Sequence, residues 1–272
     1  MEFRTPLTPT PTGGIDHQSR LLMIGSCFTT EVGERLALDG FDVTVNPTGT
    51  LYNPLSLARM LDFQLAQPED LFQNQGLWRS WQHHTRFCHA DREQALRLCN
   101  QATQQAQSAW QRADRVIVTF GTAYVFLHRG DVVANCHKMP AAEFTRRRLS
   151  VDEIVVCWQP IIDANPDKRF IFTVSPIRHR ADGLHGNQLS KATLLMAIDA
   201  LRGVDYFPAY EALIDDLRDY RFYAADMLHP SPVAVDYVYQ SLFAPTYFSP
   251  ATIAEALRCR AVARRAAHRP LI

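Results

Sequence analysis

Short apolar runs alternate with amphipathic stretches along most of the chain. Residues 21–24 form an all-apolar run that leads into Gly25 and Ser26, and residues 29–38 then have helical spacing. An apolar run that is followed by a tight turn and an amphipathic stretch predicts a strand, a turn and a helix. Ser26 is therefore expected between the first strand and the first helix.

Four further apolar runs have the same character, and stretches with helical spacing follow them. Residues 115–120 give the strongest signal, because β-branched apolar residues on both faces are typical of a central parallel strand. Five strands that alternate with helices predict an α/β protein, a three-layer α/β/α sandwich with a central, mostly parallel five-stranded sheet of flavodoxin-like type. The further strands are expected at residues 41–45, 115–120, 170–174 and 204–207, and the further helices at residues 54–64, 91–112, 150–162, 188–201, 208–217, 232–243 and 252–269.

Some segments do not fit this alternation. Residues 1–14 interleave proline with threonine, which prevents a helix and predicts an extended tail. The region of about 66–112 begins with an irregular, aromatic-rich part that indicates an inserted loop or hairpin, and residues 246–272 contain an arginine-rich helix packed on the domain or extending from it. Residues 15–245 are expected to form one domain, which includes a small hairpin within residues 125–135.

Composition limits the possible partners. Of the 272 residues, 47% are hydrophobic and 21% charged, which suits a chain with a sizeable core. Lysine and arginine together number 28, as do aspartate and glutamate, so no net charge attracts nucleic acid or an anionic membrane surface. No apolar run reaches the roughly 18–20 residues of a membrane span, and the N-terminal residues lack the pattern of a secretory signal. We expect a cytoplasmic protein with a small-molecule partner, neither nucleic acid nor a membrane, and the oligomeric state stays open.

The six cysteines contain no CxxC pair and no spacing typical of a zinc site, so we expect thiols, no metal and no cofactor. His83 and His84 do not change this expectation, because adjacent residues of a strand point to opposite faces and cannot easily bind one ion. The aromatic residues nearby are interpreted as the core of the insertion, with a sugar-stacking platform as the alternative. They are Trp78, Trp81 and Phe87.

Two parts of the sequence indicate nucleophilic chemistry. Ser26 follows the first strand at the start of a helix, where backbone N–H groups and the helix dipole stabilise an anion. Its alternative role is that of a helix cap. Asp226 and His229 are three residues apart, so the carboxylate could hold one ring nitrogen while the other faces a nucleophile. Taken alone, such a pair is more often a capped turn.

An ordered set of short motifs across residues 15–245 resembles the GSCFA family, which is grouped with the SGNH or GDSL hydrolases. Each motif alone is weak, but the set in this order is specific. The motifs are Gly25-Ser-Cys-Phe28, Asn46-Pro-x-Gly-Thr-Leu-Tyr-Asn-Pro54, Phe120-Gly-Thr122, Asn135-Cys-His-Lys138, Ser175-Pro-x-Arg-His179 and Asp226-x-x-His-Pro230.

The resemblance implies an SGNH-like fold and a Ser-His-Asp triad of Ser26, His229 and Asp226. It also implies an oxyanion hole built from the N–H groups of Ser26 and Gly49. Where the SGNH pattern has Gly-x-Asn, this chain has Gly121-Thr-Ala123. The third oxyanion donor is therefore missing from its usual position.

Several other residues are candidates for the site. Asn135 could supply the missing amide, although a turn residue is an equal alternative, and Thr122 is a second candidate. His137 and Lys138 suit an anionic or polyhydroxylated group, with a solvated loop as the alternative. Substrate contact is also expected from Arg178 and His179, at the rim of the pocket. Cys27 is a weaker nucleophile candidate than Ser26, because the residue after the turn usually points away from the ligand.

These observations predict a serine-dependent carboxylester hydrolase or acyltransferase that works through an acyl-enzyme intermediate. Its substrate is expected to be a small or carbohydrate-like acylated molecule. The alternative is a non-catalytic module that retains the fold and binds a glycan or another ligand in the cleft. The altered position after Gly121 and the aromatic insertion keep that alternative open.

Overall fold

The computed structural model describes residues 5–267. Within that range the chain forms strands β1 Arg20–Gly25, β2 Asp42–Val45, β3 Leu71–Asn74, β4 Leu77–Ser80, β5 Arg115–Phe120, β6 Tyr124–His128, β7 Asp131–Val133, β8 Thr145–Arg148, β9 Arg169–Val174 and β10 Val204–Phe207. Its helices are α1 Cys27–Leu38, α2 Pro54–Met60, α3 Arg92–Arg112, α4 Val151–Asp163, α5 Gly183–Ala200, α6 Ala209–Glu211, α7 Pro232–Tyr237, α8 Ala244–Tyr247 and α9 Pro250–Ala267. A π-helical segment, Ala212–Leu217, continues α6, and another, Val238–Phe243, joins α7 to α8.

Five strands form the central sheet in the order β10-β9-β5-β1-β2, and all neighbouring pairs are parallel. The predicted three-layer α/β/α fold with a five-stranded sheet is therefore confirmed. The chain order reverses between β1 and β5, where Gly25 pairs with Thr119. In open α/β sheets ligands bind outside the carboxyl ends of the strands at such a switch point. Ser26 directly follows β1 at this point.

Each face of the sheet carries its own hydrophobic core. Leu21 and Met23 of β1 belong to the core under α1 and α6–α9, whereas Leu22 and Ile24 belong to the core under α2–α5. Successive side chains of a strand point to opposite faces, so a strand between two helical layers needs apolar residues at every position. This requirement explains the uninterrupted apolar runs of the sequence.

The region of about 66–112 divides into two parts. Its first part contains the β3–β4 hairpin, in agreement with the predicted loop or hairpin. Its second part, α3, contacts β1 and buries Ala109 in the core under α2–α5. This helix therefore belongs to the helical layer, whereas β3 and β4 form a separate two-stranded sheet.

A second small sheet has the order β7-β6-β8. The β6–β7 pair is the predicted hairpin, with Phe126 opposite Val133. The third strand, β8, was not predicted. Its sequence Thr-Arg-Arg-Arg is exposed at every position and lacks the apolar alternation that marks a half-buried strand.

Both ends of the described chain pack on the domain. The extended residues 12–15 donate backbone hydrogen bonds to the carbonyl oxygens of Thr246 and Tyr247. In α9, Arg260 donates two hydrogen bonds to the Asp39 carboxylate, at 2.6 and 2.5 Å, and Tyr239 donates a third at 2.8 Å. Asp39 is only 1% exposed. The predictions for residues 1–4 and 268–272 fall outside the described residues.

Within residues 5–267 no helix has the length and apolar character needed to cross a membrane. The same range contains no group of three histidine, cysteine, aspartate or glutamate side chains that could hold a metal ion.

Candidate active site

Ser26 lies in a turn that requires the glycine before it. Gly25 has φ +141°, and a Cβ there would lie 2.2 Å from the Thr119 carbonyl oxygen. Ser26 itself is extended, is 1% exposed and makes no side-chain cap bond to α1. Its Oγ is buried and has no hydrogen-bond partner among the described residues. The hydroxyl is therefore not used as a helix cap, the alternative role that the sequence allowed.

The Asp226 and His229 side chains form the close pair that their spacing predicted. Nδ1 of His229 lies 2.5 Å from Oδ2 of Asp226, and Oδ1 of Asp226 accepts from the backbone N–H groups of Leu228 and His229. Hydrogen bonds from the His229 and Leu228 backbone and the His229 ring lower the pKa of Asp226 to about 2. Both side chains are nearly half exposed, at 45% and 49%.

Arg178 connects this loop to the segment that follows β9. Its Nη1 donates to the Met227 carbonyl at 3.1 Å, and its backbone N–H donates to the Leu228 carbonyl at 3.1 Å. The guanidinium also lies over the rings of Tyr220 and Tyr223, at 5.4 and 5.6 Å from their centroids. Arg178 was expected at the pocket rim as a substrate contact, and in the structure it contacts the Asp226–His229 loop.

The two halves of the expected triad are not in hydrogen-bond contact. Since Ser26 Oγ has no partner within residues 5–267, His229 does not accept its proton in this structure. The Asp–His half is assembled, whereas the His–Ser half is open. Catalytic hydrogen bonds are often long in ligand-free structures and shorten when substrate binds.

The loop after β2 lies beside the Ser26 turn because Asn46 ties the two together. The Asn46 side chain accepts from Gly25 N at 2.8 Å and donates to Thr30 Oγ1 at 3.1 Å. Gly49 has φ +90° and packs so closely on His84 that a Cβ would lie 2.1 Å from the Cβ of that histidine. Only glycine fits this position.

Both expected oxyanion donors already have partners in the protein. Gly49 N–H donates to the Asn46 carbonyl at 2.8 Å, and Ser26 N–H donates to the Thr119 carbonyl at 3.2 Å. The sequence did not reveal these bonds, because backbone partners depend on the tertiary arrangement. The Asn46 carbonyl also accepts from Nη2 of Arg86 at 2.7 Å. Arg86 lies between β4 and α3 and belongs to none of the sequence motifs.

The two candidates for the third donor differ in their surroundings. Thr122 Oγ1 lies 3.1 Å from Ser190 Oγ and accepts from Tyr124 N at 3.1 Å, so its hydroxyl serves the strand-end turn. Nδ2 of Asn135 is buried and has no partner among the described residues. Of the two, Asn135 has the unused donor.

The remaining candidates lie in different environments. His137 bonds the Ser80 carbonyl at 2.7 Å, and burial lowers its pKa. His179 bonds the Gly121 carbonyl at 3.1 Å, and burial lowers its pKa to about 4. Lys138 is exposed and makes no hydrogen bond with the residues that the structure describes.

The histidines and aromatic residues of the insertion have mainly structural contacts. His83 bonds Ser80 and Thr103, and burial lowers its pKa to about 4. Trp81 stacks on Phe72 with ring centroids 3.8 Å apart. The two rings are on the wall of a cavity of about 670 Å³ whose lining does not include Ser26. Trp78, Trp81 and Phe87 are each only partly buried and belong to neither hydrophobic core of the sheet, so they do not form a closed core of the insertion.

Comparison with known proteins gives a family and a structural likeness. No curated protein matches the chain. Among solved structures, the chain is similar to an acetyl xylan esterase (Est2A) from the rumen bacterium Butyrivibrio proteoclasticus, with 12% identity and a TM-score of 0.37. The match covers 86% of this chain and 63% of the esterase, so the chain spans less than two thirds of the length of the esterase. The GSCFA family model matches residues 20–242, and the chain therefore belongs to the GSCFA family.

Proposed function

We propose that the protein is a serine-dependent carboxylester hydrolase or acyltransferase in which Ser26 is the nucleophile. The observation that carries the proposal is the Asp226–His229 pair, 2.5 Å apart, in a chain whose Ser26 hydroxyl is free of any structural bond within residues 5–267. A carboxylate that holds Nδ1 leaves Nε2 of the ring to accept the serine proton.

The reaction would proceed in two steps. In the first, Ser26 Oγ attacks the acyl carbonyl as its proton passes to His229, and the tetrahedral intermediate expels the alcohol, which takes that proton. In the second, water or an acceptor hydroxyl attacks the acyl-Ser26 ester while His229 accepts its proton, which then returns to Ser26. Water as acceptor gives hydrolysis, and an acceptor hydroxyl gives acyl transfer.

The oxyanion would be held by the N–H groups of Ser26 and Gly49 and by the Asn135 amide. The Ser26 and Gly49 N–H groups bond the Thr119 and Asn46 carbonyl oxygens in the structure. To bind the oxyanion, each N–H group must either break its bond or donate to both oxygens at once. Gly49 can make this change, because glycine tolerates many backbone conformations. Arg86 would keep the Asn46 carbonyl hydrogen-bonded meanwhile. Each such donor is typically worth about 3 kcal/mol in the transition state.

For the substrate we propose a small or carbohydrate-like acylated molecule. Among the expected substrate contacts, Lys138 is the one with an exposed charge that has no hydrogen bond to the described residues. An ammonium there suits an anionic or polyhydroxylated group. The protein contacts of His137, His179 and Arg178 favour a supporting role for those side chains.

A fluorophosphonate probe tests the nucleophile directly. Ser26 Oγ should displace fluoride from phosphorus as its proton passes to His229, and peptide mapping should find the adduct on Ser26. Cys27→Ala should still be labelled, and Ser26→Ala should not. If folded wild-type protein stays unlabelled while a known serine esterase reacts alongside, the proposal is wrong and the ligand-binding module is favoured.

A further inference from the structure

Lys191 is a buried cation at the carboxyl end of the central sheet. It lies on the same face of α5 as Leu194 and Ile198, which face the core, and it is 1% exposed. Its Nζ donates to the carbonyl oxygens of Gly121 and Ser175, both at 2.7 Å. These two residues directly follow β5 and β9, so the ammonium fixes the ends of both strands.

No carboxylate lies within salt-bridge distance of Lys191 among the described residues. Burial lowers the pKa of its ammonium to about 7. A buried charge without an ion-pair partner opposes folding, and an apolar side chain of similar size would fill the space without that penalty. The position of this charge therefore calls for a reason other than stability.

The groups that face Lys191 come from four segments of the chain. Cys27 at the start of α1 and Asp182 before α5 interact with its charge. His179 shares the Gly121 carbonyl with it, at 3.1 Å from Nε2. The Tyr210 ring of α6 lies 5.7 Å from Nζ. The cation thus acts on the start of α1, where the N–H groups of Cys27 and Phe28 have no partner within the helix.

We propose that Lys191 is a positioning residue for the Ser26 site, which fixes the ends of β5 and β9 and supplies the positive charge that favours anions at the start of α1. This inference rests on the proposed function for its catalytic consequence. The charge itself can be tested without turnover, because Cys27 lies next to Ser26 and senses the same field.

The first experiment measures iodoacetamide alkylation of Cys27 against pH, peptide by peptide. The Cys27 thiol is partly exposed, its burial raises its pKa, and the Lys191 charge acts in the opposite direction. Lys191 carries its charge only below its pKa of about 7, so Lys191→Met should lower the alkylation rate of Cys27 at pH 6 and leave it unchanged at pH 9. Cys157 on α4 serves as an internal standard whose alkylation rate should not change at either pH.

Lys168→Met is the matched control variant. The Lys168 side chain is also buried, and its Nζ donates to the Ala113 carbonyl at 2.8 Å, but it lies just before β9 at the opposite end of the sheet. It should leave the Cys27 alkylation rate unchanged at pH 6 and at pH 9. If Lys191→Met does not fold, Lys191→Gln retains a hydrogen-bond donor without the charge, and Lys191→Arg should retain the wild-type rate at pH 6.

The second experiment compares the rate of fluorophosphonate labelling at Ser26. We expect a decrease on the order of tenfold in Lys191→Met or Lys191→Gln and none in Lys168→Met. An unchanged Cys27 alkylation rate at pH 6, or a lowered alkylation rate with an unchanged labelling rate, would overturn the inference. If wild-type protein is not labelled at all, the proposed function fails, whereas the alkylation profiles still decide whether Lys191 sets the charge at this site.

Discussion

The two halves of the candidate site are built in opposite ways. The Ser26 half lies at the carboxyl end of the central sheet, where Ser26 and Lys191 are each 1% exposed. The carbonyl oxygens of Gly121 and Ser175 accept hydrogen bonds from Lys191 there. The Asp226–His229 half is an exposed loop held by its own hydrogen bonds and by Arg178. Under the proposed function, the nucleophile would be fixed by the core, whereas the base would depend on a few surface contacts. Movement of the Asp226–His229 loop would then bring the two halves together.

The largest expected effect comes from removal of either half. Ser26→Ala and His229→Ala should each lower kcat by about 10⁴-fold or more, and the double variant should be no worse, because the two residues act as one unit. Asp226→Asn should retain more activity. Steady-state kinetics on an activated ester would measure these losses. Additive losses from Ser26 and His229 would mean that the two halves do not share a proton path.

The next largest effect is expected from removal of Asn135, the candidate third donor of the oxyanion hole. Asn135→Ala should lower kcat by roughly a hundredfold with little change in KM, because the amide acts mainly in the transition state. Thr122→Val serves as the comparison, since that hydroxyl already bonds Ser190 of α5 and accepts from the Tyr124 N–H. A larger loss of kcat in Thr122→Val, in folded protein, would assign the third donor to Thr122.

A smaller effect is expected when the Asp226–His229 loop loses its contacts with Arg178. Arg178→Met removes the bond to the Met227 carbonyl and the contact with the two tyrosine rings. We expect kcat to fall by about tenfold while the melting temperature changes little, because exposed contacts contribute little to stability. Arg180→Met, two residues further along, is the control and should retain full activity. Equal effects from both variants would show that Arg178 does not position the loop.

The last effect is a dependence of stability on pH that comes from two buried histidines and does not require activity. Burial lowers the pKa values of His83 and His179 to about 4, while unfolded histidine titrates near 6.5. The unfolded state therefore binds more protons between these values, so stability should fall as pH decreases from about 6.5 to 4. We expect about 3 kcal/mol for each histidine in denaturant titrations. His179→Gln should reduce this dependence.

Much of the fold was predictable because the central strands carry apolar residues on both faces. The runs at β1 and β5 follow from burial between two helical layers, and the Asp226–His229 pair follows from local spacing. The strand β8 was missed because its residues are exposed, and the partners of the Ser26 and Gly49 N–H groups are long-range or turn bonds that composition does not encode. Lys191 was not predicted as a site residue, but the sequence contains a signal for its burial. It is spaced three and seven residues from Leu194 and Ile198, which lie on the buried face of α5.

The bond between Arg260 and Asp39 makes α9 part of the cooperative unit. If the helix frayed from the domain, Asp39 would lose its guanidinium while it remained buried next to Tyr239, and an uncompensated buried charge costs several kcal/mol. Partial opening of this helix is thus opposed by the carboxylate at the end of α1. The backbone amides of α9 around Arg260 should then exchange with solvent at rates closer to those of β5 than to those of the Asp226–His229 loop.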